Sequence, residues 1–331
     1  MFEDILGNIG AKKELELLLK KKSVPSSLLF RGTDGVGKKL FAKELAISLM
    51  YPEGASLESC RHIREENHPD LHLLTPESKT GMHAILSIRK LIDELFLAPF
   101  EARAKVFIIE DAERMLPSSS NALLKTLEEP AIDSYLILLT SQFEELLPTI
   151  ASRCAKIRFA PLGEEDILLL LEKKWDKTSL GSRYIAALAQ GSAARAYALA
   201  HHPLQEERRE FLFSLLSKRG LPISNCSSTL AKIEELYSKE EEGSLDWHKD
   251  VQILLAQIFM WYRDLHLLKI GEDPKQLYFL DKLSLLQERI LLPIPTMDKL
   301  HDVLEKARLG TQRNIKLKAV MEYLFLELGI F

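Results

Sequence analysis

The sequence predicts an α/β domain, a parallel sheet flanked by helices, followed by a small helical domain and a larger all-α C-terminal domain. Three observations carry this reading. The apolar runs Ser27-Leu28-Leu29-Phe30, Lys105-Val106-Phe107-Ile108-Ile109 and Leu136-Ile137-Leu138-Leu139 lack the alternation of a half-exposed strand, which is the mark of strands buried on both faces. Segments with helical spacing separate these runs, and strand alternating with helix implies a parallel sheet. After about Arg158 no strand pattern recurs, and amphipathic, leucine-rich segments continue to the end of the chain.

In chain order, Leu40, Phe41, Leu45 and Leu49 mark a helix after the first strand. Ile85, Ile88, Leu91, Ile92 and Leu95 mark a second, closed near Pro99. Asn121 to Glu129 is a third, stopped by Pro130. Pro161-Leu162-Gly163 breaks the chain before Glu164-Glu165-Asp166, acidic residues suited to the positive end of a helix. Helical patterns follow over 164–174, 182–190 and 192–201, and His202-Pro203 is a second boundary. Beyond it they cover 206–217, 228–238, 247–270, 275–290, 296–308 and 312–329. The expected domains are therefore 1–160, 161–203 and 204–331.

The length of 331 residues fits two or three domains, and 46% hydrophobic with 28% charged residues is the profile of a folded globular chain. A formal net charge of −4 excludes broad nucleic-acid binding through bulk charge, so any DNA contact is local or made by a partner. Cys60, Cys154 and Cys226 are too few and too scattered for a disulfide framework and suit a reducing compartment. The N-terminus lacks the pattern of a secretory signal, and no window approaches a membrane span. A cytoplasmic location is expected.

Residues Gly32-Thr33-Asp34-Gly35-Val36-Gly37-Lys38-Lys39 match the phosphate-loop pattern at all but the last position. Glycines let backbone amides curl around phosphate oxygens, the lysine reaches the outer phosphates, and a final hydroxyl holds magnesium. Here Lys39 stands where that hydroxyl belongs, and an ammonium cannot ligate a metal. The strand at 106–109 ends in Glu110-Asp111, the reverse of the Asp-Glu order that such ATPases use. Each carboxylate is thus misplaced by a methylene, and an error of about 1 Å can cost roughly 100-fold in an in-line attack. From the residues alone, a solvated acidic strand end and a degenerate nucleotide site are both open. The loop is expected to hold phosphate and to hydrolyse it poorly.

Together with the phosphate loop, four further segments resemble one family. They are Asn67-His68-Pro69-Asp70, Ala104 to Met115, Asn121-Ala122-Leu123-Leu124-Lys125-Thr126-Leu127-Glu128-Glu129-Pro130, and Leu147-Pro148-Thr149-Ile150-Ala151-Ser152-Arg153-Cys154. The chain is similar to the delta-prime subunits of bacterial DNA polymerase III clamp loaders, which have the AAA+ fold. The likeness covers about residues 1–205. It weakens in the C-terminal helices, where Lys306-Ala307-Arg308-Leu309 and Arg313-Asn314 carry it. The resemblance implies an AAA+ domain, a helical lid and a helical collar that joins subunits into a ring. It makes Arg153 of Ser-Arg-Cys an arginine finger reaching the ATP of a neighbouring subunit. A guanidinium suits that task, being always charged and presenting a rigid donor fork. It places Arg195 at the second-sensor position, with a structural role equally open, and Thr140-Ser141 at the first.

By this resemblance Gly32, Gly35, Gly37, Lys38, Lys39, Glu110, Asp111 and Arg195 form a degenerate nucleotide site that requires no cofactor and could hold ATP or ADP without hydrolysis. The implied partners are gamma/tau motor subunits and a delta subunit, with the sliding clamp and primed DNA reached through the complex and no membrane. Family members often carry four zinc-binding cysteines before His-Pro-Asp. Only Cys60 stands in that region, with His62, His68 and His72 nearby, so no zinc is expected. Two other functions compete: an active gamma/tau-type ATPase motor of the same loader, and a nucleotide-binding scaffold outside replication. The apolar stretch Val251 to Tyr262 suits either a subunit interface or a domain core.

Overall fold

The computed structural model describes residues 2, 4–77, 81–175, 182–237, 246–313 and 315–330. Asn314 lies outside the described residues. The chain divides into two compact units, Met1–Ile167 with Gly191–Arg195, and Leu168–Gln190 with Ala196–Phe331.

The first unit is built on strands β1 (Ser27–Arg31), β2 (Leu71–Leu74), β3 (Lys105–Ile109), β4 (Ser134–Thr140) and β5 (Ala155–Arg158). They form one sheet in the order β2-β3-β4-β1-β5, with every pairing parallel. Helices α1 (Ile9–Lys20), α2 (Lys38–Met50), α3 (Leu57–Arg64), α4 (Ile85–Leu95), α5 (Pro117–Glu128) and the single turn α6 (Pro148–Ala151) connect them. The expected parallel sheet flanked by helices is present. Strands β1, β3 and β4 fall where the apolar runs place them, whereas β2 and β5 gave no sequence signal. Each is four residues long at a sheet edge, and β5 has one buried residue among its four.

The missing alternation follows from two cores. Leu28, Phe30, Val106, Ile108, Ile137 and Leu139 point to one face, where Phe41, Ala42 and Leu45 of α2 cover them. Leu29, Phe107, Ile109, Leu136 and Leu138 point to the other, under Ile88 and Leu91 of α4 and Leu123 and Leu127 of α5. Successive side chains of a strand alternate between faces, so a strand apolar at every position needs cover on both. Helix α5 starts at Pro117, four residues before the expected start, because proline's fixed φ suits a first helical position.

The remaining elements are helical: α7 (Glu164–Leu169), running on as a π-helical stretch at Leu170–Lys174, then α8 (Ser182–Ala189), α9 (Ala193–His201), α10 (Gln205–Leu216), α11 (Cys226–Tyr237), α12 (Asp246–Lys269), α13 (Leu283–Arg289), α14 (Met297–Gln312) and α15 (Leu317–Glu327). They follow the expected segments except over 275–290, where Pro274 opens only a 3₁₀ turn to Gln276, a second such turn spans Leu280–Lys282, and the α-helix begins at Leu283. In the second unit Val251, Leu254, Ile258, Trp261, Tyr262 and Leu265 of α12 are buried, and Trp261 stacks on Phe213 of α10 with ring centroids 5.1 Å apart. Within this chain those residues are domain core. Phe259, on the same helix, stays exposed. Among the described residues no helix is long and apolar enough to cross a membrane.

Candidate functional site

Open parallel sheets place ligand sites beyond the carboxyl ends of their strands, and the phosphate loop lies there. It leaves β1 after Arg31 and enters α2 at Lys38, with Gly37 in the left-handed region at φ 101°. The Gly32 amide donates to the Thr140 carbonyl at the end of β4 (3.2 Å). A Cβ on Gly32 would sit 2.4 Å from the Phe159 carbonyl oxygen, so only glycine passes here. Gly35 has φ +74°, and its Cβ would meet Ser192 Oγ at 2.1 Å and Ala194 Cβ at 2.8 Å. The Ala194 amide donates to the Gly35 carbonyl (3.3 Å), and Ser192 Oγ accepts from the Arg195 amide (3.2 Å). Gly191–Arg195 therefore packs on the loop, which places the Arg195 backbone beside it.

Lys38 is buried, and its Nζ donates to the carbonyls of Gly32 (2.5 Å) and Thr33 (2.9 Å). Burial pushes its pKa down, opposed by the charges of Asp34, Glu113 and Asp111. The ammonium of Lys39 turns instead to the acidic side, 2.6 Å from Glu110 Oε1 and 2.7 Å from Glu66 Oε1. Burial lowers its pKa, but the bonds to Glu110 and Glu66 outweigh that and hold it above the ordinary value. Glu110 thus has a protein cation where an active phosphate-loop site has a metal. A second cation about 4 Å from that ammonium would be repelled by about 4 kcal/mol per unit charge at an effective dielectric near 20. The glycines and Lys38 fit a phosphate. The Lys39–Glu110 pair does not fit magnesium.

The other acid of the strand end, Asp111, adopts φ 45°, a left-handed conformation unusual for a non-glycine residue. Its carboxyl titrates above the ordinary range, through burial first and then the neighbouring Glu113. Glu113 is absent from the set of site residues that the sequence indicated. Its Oε1 accepts from Ser141 Oγ (2.7 Å), the Ser141 amide (3.1 Å) and the Gln142 amide (3.2 Å). Burial would raise its pKa, but the bonds from Ser141 bring it below the ordinary value. The Ser141 hydroxyl after β4 is therefore engaged by an acid from the β3 end. No spacing in the sequence shows that a third acid after β3 spans to the end of β4.

Arg153 stands elsewhere. Ala155, two residues on, pairs with Leu28 near the start of β1, whereas the phosphate loop follows the end of β1. The guanidinium and this chain's own loop thus lie toward opposite ends of the same strand. Its Nε donates to Glu128 Oε1 (2.7 Å), its Nη2 also bonds Glu128, and Nη1 donates to the Thr149 carbonyl (3.0 Å). The pair is at the surface, the arginine side chain being 35% exposed. Cys154, next in the chain, is buried in the core under α5 and α6, and burial pushes its thiol up to about 12. It is a packing residue with no thiolate at neutral pH.

Residues 8–163 match the family described as DNA polymerase III, delta subunit. The delta-prime subunit of Bacillus subtilis is 27% identical over 330 residues, covering 94% of this chain and 92% of that one. Over most of its length the chain is similar to a delta-prime subunit of DNA polymerase III. The delta-prime subunit of Yersinia pestis is 30% identical over 215 residues, spanning 65% of this chain and 62% of its own length. A gamma subunit from Buchnera aphidicola of Acyrthosiphon pisum is 28% identical over 245 residues, spanning 72% of this chain and 65% of its own length.

Of the histidines near Cys60, His68 and His72 are engaged in hydrogen bonding and ring stacking. His68 is buried, with Nε2 2.8 Å from the Tyr51 hydroxyl and 3.0 Å from Glu101 Oε1, while Nδ1 accepts from the Asp70 amide (3.1 Å). Asp70, fully buried, accepts from the amides of Phe100 (2.6 Å), Glu101 (2.9 Å) and Ala102 (2.9 Å). His72 stacks on Phe107 at 4.6 Å. Among the described residues no group of three or more His, Cys, Asp or Glu is placed to hold a metal ion. His-Pro-Asp is here a clasp that ties the start of β2 to the loop before β3.

Replacing Gly35 with Ala drives a methyl into Ser192 and Ala194 at positive φ. It should cost on the order of 1–3 kcal/mol, read by urea unfolding, with faster amide exchange at Ala194. Acid should act on the clasp. Burial lowers the His68 pKa below the ordinary 6.5, so the unfolded chain takes that proton first and stability falls as pH drops from about 6.5. Burial would raise the Asp70 pKa, but the three amide bonds hold it below the ordinary 3.8, adding a further loss as pH falls below about 4. Asp70→Ala should lower stability at neutral pH by about 1–3 kcal/mol for each amide left unpaired and flatten the acid limb. Urea midpoints across pH for both chains check this.

Proposed function

We propose that this chain is the non-motor subunit of a clamp loader. It stands beside an ATPase subunit and supplies Arg153 to the nucleotide of that neighbour during ATP-dependent loading of the sliding clamp on primed DNA. The observation that carries this reading is the position of Arg153. It lies away from the chain's own phosphate loop, on the surface, in an ion pair with Glu128. An exposed pair of this kind contributes about 0–1 kcal/mol, so the guanidinium is easily exchanged onto a phosphate, where charge-assisted, bidentate hydrogen bonds are stronger. Arginine fingers accelerate phosphoryl transfer about 10³–10⁵-fold.

The chain's own site supports the same division of labour. Its loop suits phosphate, so ATP or ADP held without turnover is the expected state, and the Lys39–Glu110 pair is incompatible with magnesium-assisted hydrolysis. The partners in this reading are gamma/tau motor subunits and a delta subunit, with clamp and DNA met through the complex. The similarity to a gamma subunit keeps a motor role as the competing reading.

Arg153→Ala in a loader reconstituted with its motor subunits should assemble normally by gel filtration. At the ATP site it serves, turnover should fall about 10³–10⁵-fold, seen as a lost fraction of the single-turnover burst. An unchanged burst would refute the trans role. The isolated chain should show no magnesium-dependent ATP turnover. Turnover that Lys38→Ala abolishes would instead establish the motor reading.

A further inference from the structure

We infer that the Lys39 ammonium is a built-in counterion, covalently tethered in the position that a divalent cation serves in an active phosphate-loop site, and that it holds this end of the domain together without metal. This counterion belongs to the chain's own loop and is independent of any action of Arg153 on a neighbour.

Three separate elements deliver charge to one point. Helix α2 brings Lys39 in its first turn and Lys43 one turn later. The end of β3 brings Glu110, and the segment between α3 and β2 brings Glu66. Lys39 Nζ lies 2.6 Å from Glu110 Oε1 and 2.7 Å from Glu66 Oε1, so a single cation bridges two carboxylates from different parts of the fold. Lys43 Nζ adds a second contact to Glu66 Oε1 (2.7 Å) and donates to the Arg64 carbonyl (2.7 Å).

Both acids stand on fixed backbone. The Glu110 amide donates to the Leu74 carbonyl (2.9 Å), and its carbonyl accepts from Nε2 of buried His83 (2.7 Å). Glu66 holds φ 65°, a left-handed conformation that a non-glycine residue keeps only where its surroundings impose it. Bridging carboxylates from separate elements is the structural task of a bound divalent ion. Here the positive charge cannot dissociate, so the arrangement is independent of metal concentration. A metal–phosphate complex entering the loop would have to displace the ammonium from Glu110.

Thermal melts of the full-length chain test this. In ligand-free buffer with EDTA, Lys39→Thr should melt about 2–4 °C below the wild type. The same substitution made in a Glu66→Gln, Glu110→Gln background should cause little further loss, because its partners are gone. A Lys39→Thr chain that melts with the wild type, or one whose loss is the same in both backgrounds, overturns the inference. The second measurement uses the wild-type chain and so does not depend on any variant folding. With excess ADP, replacing EDTA by millimolar magnesium chloride should leave its melting temperature unchanged. A magnesium-dependent rise in the wild type overturns the inference. In Lys39→Thr, where a hydroxyl replaces the ammonium and Glu110 is free, magnesium with ADP should raise the melting temperature relative to ADP with EDTA.

Discussion

The placement of β1 between β4 and β5, parallel to both, is the constraint on which the rest of the first unit depends. A parallel strand has a loop at each end and both faces buried, so its two ends are the places where it can meet anything polar. At one end the chain turns through Gly32 to Gly37 into α2. Toward the other, the short turn α6 delivers Arg153 beside the start of β5. The strand's length thus separates Arg153 from this chain's own phosphate loop.

Electrostatics at the loop end are settled inside the protein. Asp34, Glu66, Glu110, Asp111 and Glu113 gather around two lysines of one helix turn, and the lysines divide the work. Lys38 satisfies the loop's own carbonyls, and Lys39 satisfies the strand-end acid. Glu113 then binds the end of β4 through Ser141. Glu66, Glu110, Asp111 and Glu113 each have a protein cation or a protein donor within reach, so the site is largely neutralised and braced before any ligand arrives. A motor site leaves part of that work to magnesium and nucleotide.

Legibility followed the length and burial of each segment. Strands β1, β3 and β4 stood out because a short, continuous apolar run between helical segments fits a strand buried on both faces. Strand β5, Ala155-Lys156-Ile157-Arg158, buries only Ile157 and reads locally like surface chain. The loop was legible residue by residue, and the structure gives its glycines a steric reason: Gly32 against Phe159, Gly35 against Ser192 and Ala194. Glu113 was not, because its partners lie 28 and 29 residues further on, at the end of a different strand.

By itself the amino-acid sequence determined which residues could do chemistry: a phosphate loop without its hydroxyl, a reversed acidic pair, and an arginine in Ser-Arg-Cys. These are local properties, set by side-chain type and by spacing along a few residues. Tertiary structure decided where each charge goes. Lys39 meets Glu110 and Glu66, Arg153 meets Glu128, and Asp70 gathers three amides from a loop some thirty residues away. Ion pairs and hydrogen bonds act over a few ångströms of space, and only the folded sheet brings those partners within that range.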